Sequence, residues 1–324
     1  MFKKTCLFIL WVPFFLILTP YSYGQKYPTK PIEIINPYTP GGPLDLMSRL
    51  VAETAPKYLG QPLVVVNKPG AGGSVAAADV ISSPPDGYKL FATTNFFFAM
   101  TTKTQKIPFD PGSLTPLANF LEMKDGTCVR ADSPWKTFND LLNYGKKNPG
   151  KLRWAHAGRG TAAHIAVLVM FRKAGVEAID VPYKGVADKI AALLGGHVDA
   201  STMTYSTVKD HVRDQKMRFL IFNSDHRYGD PPDVPCAVEL GFPEVPGLIA
   251  YGGLFIHKDA SEEIKRTLMG ALKKTYEDPD FRRRLSDLSE EMRYEGPEFI
   301  RQAIKKGEEV AVPILKELGL YVGK

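Results

Sequence analysis

The sequence predicts an α/β protein built as two lobes, and three observations carry that prediction. Residues 31–66 read strand, glycine turn, apolar helix, strand, and residues 152–182 repeat that order. Strand and helix patterns alternate almost throughout, which favours parallel sheets covered by helices. The chain has 324 residues, too many for most single small domains and enough for two α/β domains.

Each element follows from local pattern. Ile32, Ile34 and Ile35 make a short β-branched strand. Leu46, Met47, Leu50, Val51, Thr54 and Tyr58 follow at helical spacing, and Gly60-Gln61-Pro62 stops that helix. Leu63 to Val66 reads as a buried strand, residues 67–73 as a glycine loop, Ser74 to Ile81 as a helix and Tyr88 to Thr93 as a strand. A polar, proline-marked stretch from Lys103 to Pro116 leads into the strand-like LTPLANFLEM, and the chain crosses to a second lobe around Asp125-Gly126. There Trp135 to Lys147 reads as a helix and Leu152 to His156 as a strand. The next helix carries Ile165, Leu168, Val169 and Phe171 and ends at Gly175; Val186 to Leu194 is a helix closed by Gly195-Gly196. Met217 to Phe222 is a strand, and Tyr251 to Ile256 reads as a strand returning to the first lobe. Helices are expected at Ser261 to Glu277, Phe281 to Leu288 and Pro297 to Leu318.

The N-terminus reads as a secretory signal peptide. Lys3 and Lys4 precede an apolar run from Leu7 to Leu18, and Ser22-Tyr23-Gly24 supplies small residues for cleavage after Gly24. The run is short for a membrane-spanning helix, and Cys6 lies before it, where a lipid-anchored cysteine would not sit. Without Lys3 and Lys4 the formal charge falls from +6 to +4, scattered and interspersed with acids. No basic stripe with interleaved aromatics points to nucleic acid. Cys128 and Cys236 remain, and two free, buried thiols is the expectation.

Two glycine turns carry the functional signal. The first runs from Asn36 to Asp45, with Gly41 and Gly42 permitting close approach and Pro43 suited to a first helical position. The second is Ala157-Gly158-Arg159-Gly160-Thr161-Ala162-Ala163-His164. Each ends a strand and opens a helix, a geometry that presents backbone N–H groups and a positive dipole end to an anion. Two such turns suggest a small anion gripped between lobes. Asp45 sits oddly for an anion site and reads as a cap or loop anchor. His164 reads either as a structural polar residue or as a ligand contact. The second turn also fits a lenient G-x-G-x-x-A dinucleotide fingerprint, with Asp180 22 residues beyond Gly158, so a dinucleotide-dependent enzyme is a rival reading. Thr93-Thr94-Asn95 supplies short polar groups at a strand end, and Phe96-Phe97-Phe98 reads as core that can floor a pocket. No close-spaced metal-ligand motif, nucleophile elbow or other catalytic constellation is present in the sequence, and no cofactor is expected.

The chain resembles the Bug/TctC family of extracytoplasmic solute receptors of tripartite tricarboxylate transporters, from about Tyr27 to Leu320. The resemblance rests on YPTKPIEIINPYTPGGPLD, LGQPLVVVNKPGAGGSVAAADVISSPPDGYKL, HAGRGTAAHIAVLVMFRKAGVEAIDVPYKG, ALLGGHVDA and KMRFLIFNSDHRYGDPPDVPCAVELGFP, in family order. It implies a type II-like periplasmic binding protein, monomeric, with a hinge and an interlobe ligand cleft. Residues 1–24 would be the signal peptide, 25–124 plus 252–324 the first lobe and 125–251 the second. Tyr38–Asp45 and Gly158–His164 would be two jaws around a carboxylate held by amides and hydroxyls. The expected ligand contacts are Tyr38, Thr39, Gly41, Gly42, Asp45, Thr93, Thr94, Asn95, Gly158, Gly160, Thr161, His164 and Tyr205. The implied role is non-enzymatic: a periplasmic receptor delivering a small organic acid, aromatic acids included, to a membrane transporter. A receptor that serves a sensor kinase is an alternative. Pro43 and Cys236 depart from residues usual in the family.

Overall fold

The computed structural model describes residues 27–183 and 185–323; the expected signal peptide and its cleavage after Gly24 lie outside them. In chain order the first elements are β1 (Ile32–Asn36), α1 (Pro43–Thr54), α2 (Pro56–Leu59), β2 (Leu63–Asn67), α3 (Ser74–Ile81), β3 (Lys89–Thr94), α4 (Thr102–Thr104) and β4 (Leu114–Glu122). The middle of the chain holds β5 (Asp125–Arg130), α5 (Phe138–Lys147), β6 (Leu152–His156), α6 (Ala162–Lys173), β7 (Ala178–Pro182), α7 (Val186–Leu194), β8 (Ala200–Thr204), α8 (Tyr205–Arg213) and β9 (Met217–Phe222). The chain closes with β10 (Tyr251–His257), α9 (Glu262–Glu277), α10 (Pro279–Ser286), β11 (Glu291–Glu295) and α11 (Pro297–Glu317).

Two sheets form, ordered β11-β4-β10-β3-β1-β2 and β7-β6-β8-β5-β9. The expectation of parallel sheets holds only for the three strands at one end of each, β3-β1-β2 and β7-β6-β8. The repeated strand–turn–helix–strand units do pair in parallel, β1 with β2 (Ile34 opposite Val65) and β6 with β7 (Trp154 opposite Asp180). The strands next to the crossings run the other way: β10 is antiparallel to β3 and β4, and β5 is antiparallel to β8 and β9. The chain leaves the first sheet at Glu122 and enters the second at Asp125, where β5 runs against both of its neighbours.

Several boundaries differ from the sequence reading. The first helix breaks at Ala55, because Pro56 cannot donate its backbone bond and restarts a short helix closed by Gly60 in the left-handed region, φ 71°. The helix expected from Trp135 begins at Phe138, where Thr137 and Asp140 form a reciprocal capping box. The Phe96–Phe98 run leads into a π-helical turn, Phe97–Thr101. Strands β5, β8 and β11 and helix α8 were not expected; β8 and β11 are rich in polar residues, and pairing with neighbours decides them.

Ile32, Leu90, Phe120, Leu254 and Phe281 fill one core under the first sheet, and Cys128, Leu193, Met203 and Phe219 fill another against the second. A third core joins the lobes: Phe96, Ala99, Met100, Ala311 and Leu315 pack with Trp154, Ile165, Met170 and Leu220. The C-terminal turns of α11 therefore bury against the second sheet's helices although the helix begins beside the first sheet. Cys128 and Cys236 are both buried and unpaired. Among the described residues no helix is long and apolar enough to cross a membrane.

Candidate functional site

The two glycine turns open onto one cavity of about 510 Å³ between the sheets. The first turn leaves β1 at Asn36, whose side-chain Oδ1 accepts from the Tyr38 N–H at 2.9 Å. Gly41 adopts φ 94°, a backbone open mainly to glycine, and Gly42 caps α1 with Pro43 behind it. Asp45 is 1 % exposed and fully engaged. It accepts from the Gly41 N–H at 2.9 Å, from Arg49 Nε and Nη2 at 2.9 and 3.1 Å, and from Asn67 Nδ2 at 2.7 Å. Burial alone would raise its pKa, yet the bonds from Arg49, Asn67 and Gly41 hold it below the usual carboxylate range. Asp45 is thus a loop anchor whose charge is neutralised within the wall. No acceptor among the described residues takes the amide N–H of Gly42, Leu44 or Asp45, the orphan donors of a helix start.

The second turn is braced from behind by two histidines. Gly158 donates its N–H to His156 Nδ1 at 3.0 Å, and Gly160 donates to His164 Nδ1 at 3.3 Å. A ring nitrogen that accepts from an amide must offer its lone pair, so both rings carry their proton on Nε2. Those Nε2 atoms face Asp180 Oδ2, at 3.2 Å from His156 and 3.9 Å from His164. Arg159 closes the network with bonds of 2.6 and 2.9 Å to the same carboxylate. Arg159 drives the Asp180 pKa down to about 2, while burial, and then the neighbouring His156, push His164 down to about 4. His156, His164 and Asp180 come close enough to suggest a metal centre. The donor set does not fit one: binding through Nε2 would demand loss of both Nε2 protons and of both amide bonds that shape the turn. Thr161 caps α6, donating its hydroxyl to the Gly158 carbonyl at 2.8 Å and accepting from the His164 N–H at 3.4 Å. The Ala162 and Ala163 amides have no acceptor among the described residues and line the cavity.

Of the residues singled out from sequence, Tyr38, Thr39, Gly42, Asp45, Thr94, Gly160 and Thr161 line this cavity. Tyr38 is 42 % exposed; desolvation raises its pKa against the opposing hydrogen bond with Thr94. The others lie outside the lining. The Gly41 and Gly158 amides are turned onto Asp45 and His156, and Gly160, though it lines the cavity, turns its amide onto His164. Thr93 is buried within β3, and Asn95 bonds the Ile249 carbonyl and the Tyr251 N–H. His164 stands behind the turn, stacked on Trp154. Tyr205 packs with Phe219 and Phe222 and bonds Asp230 at 3.2 Å. Phe96 and Phe97 are both buried and part of the cavity wall, as the aromatic run suggested.

The sequence reading passed over Asp125 and Lys189, which line the second-sheet side. Lys189 Nζ donates to the Thr202 carbonyl at 2.7 Å, and the Thr204 hydroxyl donates to Asp125 Oδ1 at 2.6 Å. Burial lowers the Lys189 pKa and raises that of Asp125, each opposed by the other's charge. A signal for Lys189 existed: it lies four residues before Leu193, on the buried face of α7.

Comparison with known proteins agrees with this architecture. The family described as "Tripartite tricarboxylate transporter family receptor" matches residues 47–320. A Cupriavidus necator protein, described as "UPF0065 protein in gbd 5'region", is 34% identical over 306 residues, covering 92% of this chain and 90% of its own. The crystal structure of a TctC solute binding protein from Polaromonas superposes with a TM-score of 0.76 at 29% identity, over 90% of this chain and 99% of that one. MatC from Rhodopseudomonas palustris, solved with bound malate, has a TM-score of 0.72 at 28% identity, over 88% of this chain and all of that one, 100%.

Proposed function

Because the chain belongs to the tripartite tricarboxylate transporter receptor family, we propose that it is an exported, non-enzymatic receptor which closes two lobes on a small organic acid in the periplasm and presents it to the membrane subunits of such a transporter. One observation carries this reading: two helix starts with unclaimed amides, at Gly42–Asp45 and Ala162–Ala163, border the same cavity from opposite sides. Both present donors and dipole ends that favour an anion. Hydrogen bonds to a charged group contribute roughly 1.5–3 kcal/mol each. Four or five of them, less ordering and desolvation, reach the about 8 kcal/mol of a micromolar complex. The malate bound to MatC supports the same chemical class here.

The dinucleotide reading loses its donors. Gly158 and Gly160 spend their amides on histidine rings, and Asp180 is occupied by Arg159 and His156 instead of being open to a ribose.

Calorimetric titration of the mature chain with aliphatic and aromatic carboxylates tests the proposal. Gly42 has φ −79° and open space where a Cβ would stand, so Gly42→Val is expected to fold normally. It is expected to weaken binding by at least about tenfold, 1.4 kcal/mol. Carboxylate affinity unchanged in folded Gly42→Val would remove the first turn from the site.

A further inference from the structure

We infer that Asp125 and Lys189 form a second polar subsite at the second-sheet side of the cavity, selecting organic acids whose far end carries a hydrogen-bond donor beside an acceptor. This rests on the carboxylate-receptor reading above and deepens it. Four charged residues line the cavity: Asp45, Arg159, Asp125 and Lys189. The first two are spent, Asp45 on Gly41, Arg49 and Asn67, and Arg159 on Asp180. The second two are not. Lys189 has three N–H donors and one bond, to the Thr202 carbonyl. Asp125 accepts through Oδ1 from Thr204, and among the described residues no hydrogen bond reaches its Oδ2. No ion pair joins the two within 4.0 Å among the described residues, although each feels the other's charge.

Closing the cleft on a ligand strips water from both groups. A buried charge left without a partner is costly, so the ligand that closes the cleft best satisfies both at once. Lys189 requires an acceptor and Asp125 requires a donor. A carboxamide end offers C=O and N–H side by side, and an amino-acid end offers a carboxylate and an ammonium. A bare second carboxylate satisfies Lys189 but sets oxygen against Asp125, and a plain hydrocarbon tail satisfies neither.

The test uses matched sets of four-, five- and six-carbon acids on the mature protein: the bare dicarboxylate, its monoamide and the corresponding amino dicarboxylate, titrated by calorimetry. In the best-fitting length, the monoamide or the amino acid is expected to bind at least about tenfold more tightly than the bare dicarboxylate. Asp125→Asn keeps an oxygen for Thr204 and gains an N–H, so it is expected to cancel or reverse that ranking. Lys189→Met is expected to bring the bare dicarboxylate down to the affinity of a monocarboxylate, while the monoamide and the amino acid weaken but keep their donor to Asp125. A structural defect would weaken all ligands alike and leave the ranking unmoved, so the ranking is the readout. A bare dicarboxylate that binds as tightly as its amide and amino partners, or a folded Asp125→Asn with the wild-type ranking, overturns the subsite and leaves the receptor reading standing. Failure of every acid to bind the wild-type protein overturns both.

Discussion

The amide of Gly160 donates to Nδ1 of His164, the residue one helical turn ahead of it, at 3.3 Å. Together with the matching bond from Gly158 to His156, this makes a glycine loop rigid without using its outward-facing donors. The loop's shape therefore depends on two neutral imidazoles.

Protonation of His164 should loosen the turn. Its folded pKa is depressed to about 4 from an ordinary 6.5, so the unfolded chain binds the proton more tightly. Its contribution to stability is present above pH 6.5 and is lost as pH falls towards 4. His164→Asn replaces Nδ1 by an amide oxygen and removes the titration. The variant's melting temperature is expected to fall less than the wild type's between pH 6.5 and 4, measured by calorimetry.

Glu290 has the opposite sign. Its carboxylate accepts from the Lys124 N–H at 2.8 Å and from the Ser206 hydroxyl, linking the segment before β11 to the crossing and to α8. Burial pushes its pKa up to about 7 from 4.5. The folded protein holds that proton more tightly, so the contribution is full below pH 4.5 and is lost as pH rises through 7. Glu290→Gln is expected to flatten this part of the profile: the melting temperature of the variant minus that of the wild type should grow from pH 5 to pH 8.

Asp45→Ala should be severe. It strands the Gly41 amide and removes the partner of Arg49 and Asn67 in a buried setting, a loss of roughly 2–4 kcal/mol. Asp45→Asn keeps part of the network and should lose less. Urea unfolding measures both, and equal stability of Asp45→Ala and wild type would show that the anchor contributes nothing.

Thr161→Val removes the cap of α6 and should cost about 1 kcal/mol. Thr161→Ser retains the hydroxyl and should restore most of it. Carboxylate affinity should follow the same order, since the cap also sets the direction of the Ala162 and Ala163 amides. Because the hydroxyl is already bonded to the Gly158 carbonyl, a binding defect in Thr161→Val is read together with its stability.

The repeated strand–turn–helix unit, the two glycine turns and the family are all readable from residue order alone. Those features are local: β-branched runs, helical spacing and glycines that permit φ of 94° at Gly41 and 80° at Gly160. Asp45 reads from sequence both as a cap or loop anchor and, through the resemblance, as a ligand contact; its bonds to Gly41 and Arg49 are local, and the one from Asn67, 22 residues on, is made by the fold. Which donors remain for a ligand is settled by contacts between elements far apart in the chain. Gly158 and Gly160 look like free amides in sequence, yet His156 and His164 claim them. Asp125 and Lys189 are 64 residues apart in the chain and face one cavity through pairing of β5 with β8 and packing of α7 on both. The end of α11 likewise joins the core under the second sheet through contacts that no local pattern encodes. Backbone preference acts over a few residues and is legible along the chain; the partner of a buried polar group is chosen by whatever the fold brings within 3 Å of it.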